Sequence, residues 1–181
     1  VAVSFADVTA TSATTDAVEL TGNQGGATFV FNGDLDLTTA NGAGLVATDT
    51  GTVDLAPAGS NTIAIDAAGG AAVNLVNVSV GTMTFNSLAS SNAATAGIGV
   101  DTVNGSFTVS GATTIRESAG AAIDIQGGTA DIDISSGGSI DIAQRRAGGI
   151  RIDGTAGSVG LGTVDIQPRS AGSADGVLVR N

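Results

Sequence analysis

The stretch AAIDIQGGTADIDISSGGSIDIAQRRAGGIRID, residues 121–153, carries four apolar pairs: Ile123/Ile125, Ile132/Ile134, Ile140/Ile142 and Ile150/Ile152. In each pair one polar or charged residue separates two isoleucines. A two-residue period places both isoleucines on one face of an extended strand and the residue between them on the other. The gaps are rich in Gly and Ser, which suit turns. Three short strands therefore pass before the pattern returns, and Ile123 to Ile150 spans 27 residues.

The same spelling recurs along the chain. Small-apolar-x-apolar appears as AVEL at 17–20, GLVA at 44–47, AVNL at 72–75, GIGV at 97–100, AIDI at 122–125, GIRI at 149–152 and GVLV at 176–179. The first apolar positions, Val18, Leu45, Val73, Ile98, Ile123, Ile150 and Val177, are spaced 27, 28, 25, 25, 27 and 27. A second series reads Phe29/Phe31, Val53/Leu55, Val78/Val80, Phe107/Val109, Ile132/Ile134 and Val159/Leu161. A third reads Val3/Phe5, Leu35/Leu37, Ile63/Ile65, Met83/Phe85, Thr113/Ile115, Ile140/Ile142 and Val164/Ile166.

Three strands in each 25–28 residues predict an all-β fold, a right-handed parallel β-helix of about six to seven turns. Its rungs stack at ~4.8 Å and its like residues form ladders through the core. An antiparallel sandwich would give irregular spacing without column-by-column identity. The small residues before each first strand (Ala17, Gly44, Ala72, Gly97, Ala122, Gly149, Gly176) read as tight corners, since no helix follows to make a phosphate cradle.

Measured from third to first series, the connections run 13, 8, 8, 13, 8, 8 and 11 residues, which suggests a three-turn superrepeat of about 80 residues, with units near 18–97 and 98–176. Residues 1–181 thus read as one continuous solenoid segment and, lacking polar end caps, as an excerpt of a longer array. The long connections 6–17, 86–97 and 167–176 are expected to project as loops, with Asp7, Asp16, Asn86, Asn92, Arg169 and Asp175 as candidate binding residues.

Composition narrows the chemistry. The 181 residues have a net charge of -11, and the sequence holds no Cys, His, Lys, Trp or Tyr. Serine and cysteine triads, Schiff-base lysines, zinc clusters and P-loops are excluded. Six Arg against 17 acidic residues make no basic stripe, and nothing is present to stack on bases, so nucleic acid is not an expected partner. No apolar run approaches the ~20 residues of a membrane-spanning helix. Residues 1–115 carry nine acids and no base, whereas residues 116–181 carry eight acids and all six Arg.

What chemistry remains lies on outward positions. Strand register would stack Glu19, Val46, Asn74, Gly99, Asp124, Arg151 and Leu178 in one column, and Thr21, Thr48, Val76, Asp101, Gln126, Asp153 and Arg180 in the next. Asp124 then faces Arg151 and Asp153 faces Arg180, as a surface ion ladder worth at most ~1 kcal/mol per pair. The catalytic alternative is an inverting carboxylate pair, Asp101 and Asp153, ~10 Å apart and helped by Asp124 and Arg151. Asp141 and Asp165, adjacent in a third-series column, are the weak candidate for Ca²⁺, although the G-G-x-G-x-D calcium repeat is absent and a solvated pair is the simpler reading. No other cofactor is expected.

With motifs such as A-A-I-D-I and G-G-I-R-I in place, the chain resembles the parallel β-helix repeat regions of large secreted bacterial surface proteins, the filamentous-haemagglutinin-like adhesins and autotransporter passengers. The resemblance implies an extracellular stalk or adhesive filament without catalysis, whose partners are neighbouring turns, sister filaments, and host or cell-surface glycans or proteins. The chain is also similar in architecture to pectate lyases and polygalacturonases, whose Lys, His and Arg-Asp clusters have no counterpart here. A polysaccharide lyase or inverting glycoside hydrolase is therefore the alternative function.

Overall fold

A computed structural model describes residues 1–23, 26–56, 59–135, 138–144, 148–168 and 176–181. The strands follow one another in rungs of three. The first rung is β1 (Ala2–Phe5), β2 (Val8–Ala13) and β3 (Val18–Thr21); the second is β4 (Thr28–Phe31), β5 (Leu35–Thr39) and β6 (Leu45–Thr48). The third is β7 (Thr52–Leu55), β8 (Ile63–Ala67) and β9 (Val73–Val76); the fourth is β10 (Ser79–Phe85), β11 (Ser87–Ser91) and β12 (Ile98–Asp101). The fifth is β13 (Asn104–Val109), β14 (Thr113–Arg116) and β15 (Ile123–Gln126); the sixth is β16 (Asp131–Ile134), β17 (Ile140–Gln144) and β18 (Ile150–Asp153). The seventh is β19 (Val159–Leu161), β20 (Val164–Pro168) and β21 (Val177–Arg180). Every third strand pairs in parallel, so three seven-stranded sheets wrap one interior, and no helix occurs among the described residues. This is the all-β parallel solenoid expected from the repeat.

The interior follows from the alternation. Along the first-series sheet, Val73, Ile98, Ile123 and Ile150 lie in register and are fully or almost fully buried. The second-series sheet adds aromatic steps, with Phe5 stacked on Phe31 at 4.8 Å between ring centroids and Phe85 tilted against Phe107 at 5.2 Å. Such pairs stabilise by ~0.5–1.5 kcal/mol beyond the area they bury.

Two strand assignments differ from those read in the sequence. Val3/Phe5 and Met83/Phe85 belong to the second-series sheet, because Phe5 pairs with Phe31 and Met83 with Phe107. The third-series strands of those two rungs are β2 and β11, whose inward residues include Ala10 and Ser90; Ser90 is 3% exposed and its hydroxyl donates to the Gly70 carbonyl at 2.8 Å. Small or polar inward residues leave no apolar alternation to read. In β10 the register shifts between Val80 and Met83, so VGTMTF is one bulged strand, while the similar LGTVDI at 161–166 spans a corner. Asp54 Oδ1 accepts the Thr82 N–H at 3.0 Å, satisfying a donor the bulge takes out of the ladder. The third-series register also steps by two, since Ile65 pairs with Leu88 and Leu88 with Thr113, not Ile65 with Ile115 through an intermediate.

The segments 6–17 and 86–97 are consequently not projecting loops, as each contains a strand of the third-series sheet. A different regularity closes the first-series sheet. Directly after β3, β6, β9, β12, β15 and β18, the residues Gly22, Asp49, Asn77, Thr102, Gly127 and Gly154 all take positive φ, between 46° and 68°. Gly, Asn and Asp tolerate that left-handed conformation, whereas Thr102 is β-branched and strained there.

Candidate functional site

The outward face of the first-series sheet carries the densest array of chemically able side chains. Its register is as the spacing predicts: Asn74 pairs with Gly99, Gly99 with Asp124 and Asp124 with Arg151, while the next column runs Val76, Asp101, Gln126 and Asp153. Arg151 Nε donates to Asp124 Oδ1 at 2.7 Å, with the two side chains 34% and 21% exposed. Gln126 Nε2 donates to the other oxygen, Asp124 Oδ2, at 3.3 Å. Asp124 is thus held from two sides, by a cation on the next rung and an amide on its own.

The remaining members of the column are not drawn into that cluster. Asp101 accepts from the hydroxyl of Thr102 at 2.8 Å, and Gln126 stands between Asp101 and Asp153 in the ladder. Two rungs place those carboxylates ~10 Å apart along the axis. Arg180 is the register neighbour of Asp153, but among the described residues the ion pairs are Arg151–Asp124 and Arg116–Asp141. A cleft of about 250 Å³ lies over Gly99, bounded by Asn74, Asp101, Asp124 and Gln126.

Asp141 and Asp165 are register neighbours in the third-series sheet. Each carboxylate already has a side-chain partner: Arg116 Nη2 lies 3.4 Å from Asp141 Oδ2, and Gln167 Nε2 donates to Asp165 Oδ2 at 2.8 Å. Among the described residues no three Asp or Glu converge as a metal site would need.

The candidate loop residues turn out to tie rungs together. Asp7 Oδ1 accepts the N–H of Asp34 at 3.0 Å, Asp16 Oδ1 that of Ala43 at 2.7 Å and Asn86 Oδ1 that of Ile63 at 2.7 Å. Asn92, at φ 56°, donates to the Ala68 carbonyl at 3.4 Å. Further carboxylates act in the same way, Asp34 on Thr62 N–H at 2.6 Å and Asp131 on Ser158 N–H at 3.0 Å. Ser158 also gives its hydroxyl to Asp131 at 2.7 Å, and these two donors hold the Asp131 carboxyl below its ordinary pKa, the hydroxyl contributing more. Much of the acidic exterior therefore terminates backbone donors at corners where the ladder breaks. Arg169 and Asp175 lie outside the described residues.

Sequence reading missed these staples because each joins a side chain to a backbone group 23–28 residues away, with no residue-type signature at the donor end. Comparison with protein-family models, with curated proteins and with solved structures returned no match.

Proposed function

We propose that the chain is a non-catalytic extracellular repeat segment, a rigid stalk or adhesive filament carried on a cell surface. The supporting observation is continuity: three sheets of seven strands share one apolar interior from the first rung to the last. A body made in this way behaves as a rod, since each rung rests on its neighbours and backbone ladders run along the axis. Exterior acids that serve as staples keep the surface soluble and supply corner bonds together. The outward carboxylates favour the same reading over hydrolysis, because Asp124 is already neutralised by Arg151 and Gln126 stands between Asp101 and Asp153 in the ladder.

Two measurements test the proposal. Beads coated with the purified chain are washed over immobilised host-matrix proteins and glycans, with an unrelated acidic protein as control. Retention above the control is expected, and wash-off equal to the control overturns the adhesive role. The same protein is incubated with neutral and acidic polysaccharides and their chain length is followed. Unchanged length is expected; shortening that disappears in Asp101→Asn and Asp153→Asn would overturn the non-catalytic reading in favour of a carbohydrate-active enzyme.

A further inference from the structure

A recess of about 400 Å³ opens where the first-series sheet turns into the second-series sheet. It is lined by residues 50–52 and 77–79 together with Gly26 and Asn104. It shares no lining residue with the Asp124–Arg151 cluster. The bulge in β10 sits beside it, and there the ladder is loose, with Ser79 N–H reaching the Gly51 carbonyl at 3.4 Å. Bulges commonly re-aim side chains next to functional sites.

The lining is polar and uncharged: Thr50, Thr52, Asn77, Ser79 and Asn104, with Val78 as the apolar contribution. Both amides are fixed by one internal hydrogen bond each, leaving the other end free. Asn77 Nδ2 donates to Asp49 Oδ1 at 2.7 Å, which leaves Asn77 Oδ1 as an acceptor. Asn104 Oδ1 accepts from Thr129 Oγ1 at 2.8 Å, which leaves Asn104 Nδ2 as a donor. Thr50, 6% exposed, holds a buried hydroxyl without a hydrogen-bond partner, an unusual cost for a native interior.

We infer that this recess binds a neutral saccharide. A sugar diol offers a donor and an acceptor on adjacent carbons, matching one fixed amide acceptor, one fixed amide donor and the hydroxyls of Thr52 and Ser79. Amides held before binding lose little freedom on binding. An anion would meet no cation here and a hard metal ion no carboxylate, since no charged residue lines the recess. The volume suits one or two sugar rings, within the ~300–1,000 Å³ usual for ligand sites. The inference stands whether or not the chain serves as a stalk.

The probes are the neutral disaccharides maltose, cellobiose, lactose and trehalose, with digalacturonate as the acidic counterpart, each titrated to millimolar concentration by calorimetry and ligand-observed NMR. Asn104→Asp keeps the acceptor for Thr129 and removes the free donor; Ser79→Val fills the recess from an exposed strand position; Thr114→Val, on the third-series sheet, is the control. Saturable binding of at least one neutral disaccharide is expected, at least about tenfold weaker in the first two variants and unchanged in the control. Absence of binding by all four, affinity in Asn104→Asp and Ser79→Val equal to that of the parent chain, or binding of digalacturonate alone overturns the inference. Melting temperatures report folding, and if Ser79→Val does not fold, Asn104→Asp decides.

Discussion

Ile123→Ala tests whether the interior ladder is the source of stability. Ile123 is fully buried, with Ile98 on the rung before it and Ile150 on the rung after. Truncation removes three carbons, a transfer loss of ~2.4 kcal/mol at ~0.8 per carbon. If the walls do not relax, the cavity adds ~1.9 kcal/mol, taking roughly 80 Å³ at ~24 cal/mol per Å³. The expected cost is therefore about 2.4–4.3 kcal/mol. Stacked β rungs have little room to collapse into the space, because their spacing is set by backbone hydrogen bonds, so the upper half of that range is favoured. The chain has no Trp or Tyr, so urea unfolding is followed by far-UV circular dichroism. Val177→Ala is the comparison: Val177 occupies the equivalent position in β21 but is 51% exposed, and its truncation should cost less than about 1 kcal/mol. A cost under ~1 kcal/mol for Ile123→Ala, or equal costs for the two variants, would refute the reasoning.

Three further outcomes are expected. Thr113 points inward between Leu88 and Ile140, fully buried with its hydroxyl unpartnered, so Thr113→Val should raise the urea midpoint by the equivalent of about 1–3 kcal/mol. Thr102→Gly should stabilise by up to about 1.5 kcal/mol, the ~1–2 kcal/mol of left-handed strain less the ~0.5–1 kcal/mol of chain entropy that glycine adds; a lower melting temperature would contradict this. Because the folded Asp131 carboxyl titrates below its unfolded value of 3.8, its staple contributes fully above that pH and is lost as pH falls through the folded value. Urea midpoints measured at neutral pH and near pH 3 should accordingly differ less in Asp131→Asn than in the parent chain.

The first-series sheet was legible residue by residue, since its inward positions are apolar in all seven rungs and its register follows from spacing alone. For the same reason the Asp124–Arg151 pair could be named before any coordinates. The third-series sheet was legible only where Leu, Ile or Val mark it. Ala10 and Ser90 are small or polar, and each stands next to a Phe-bearing pair that offered a stronger but false match. The bulge in β10 added to the error, because an extra residue inside one strand imitates a corner between two. Staples and the recess were hidden for a different reason. They depend on how corner lengths on successive rungs compare, which no single rung's sequence contains.

The left-handed residue that follows each first-series strand from β3 to β18 makes the rung a unit that can be counted. Ile98 and Ile123 hold equivalent places, so excising residues 98–122 would join Gly97 to Ile123 and set β11 against β17 and β10 against β16 with every inward column intact. Length is therefore quantised: such a chain is shortened by one step of ~4.8 Å and cannot be trimmed by a fraction of one. Gain and loss of whole rungs is the route by which a body of this kind adjusts its reach, and its sequence period is the ruler on which that reach is marked.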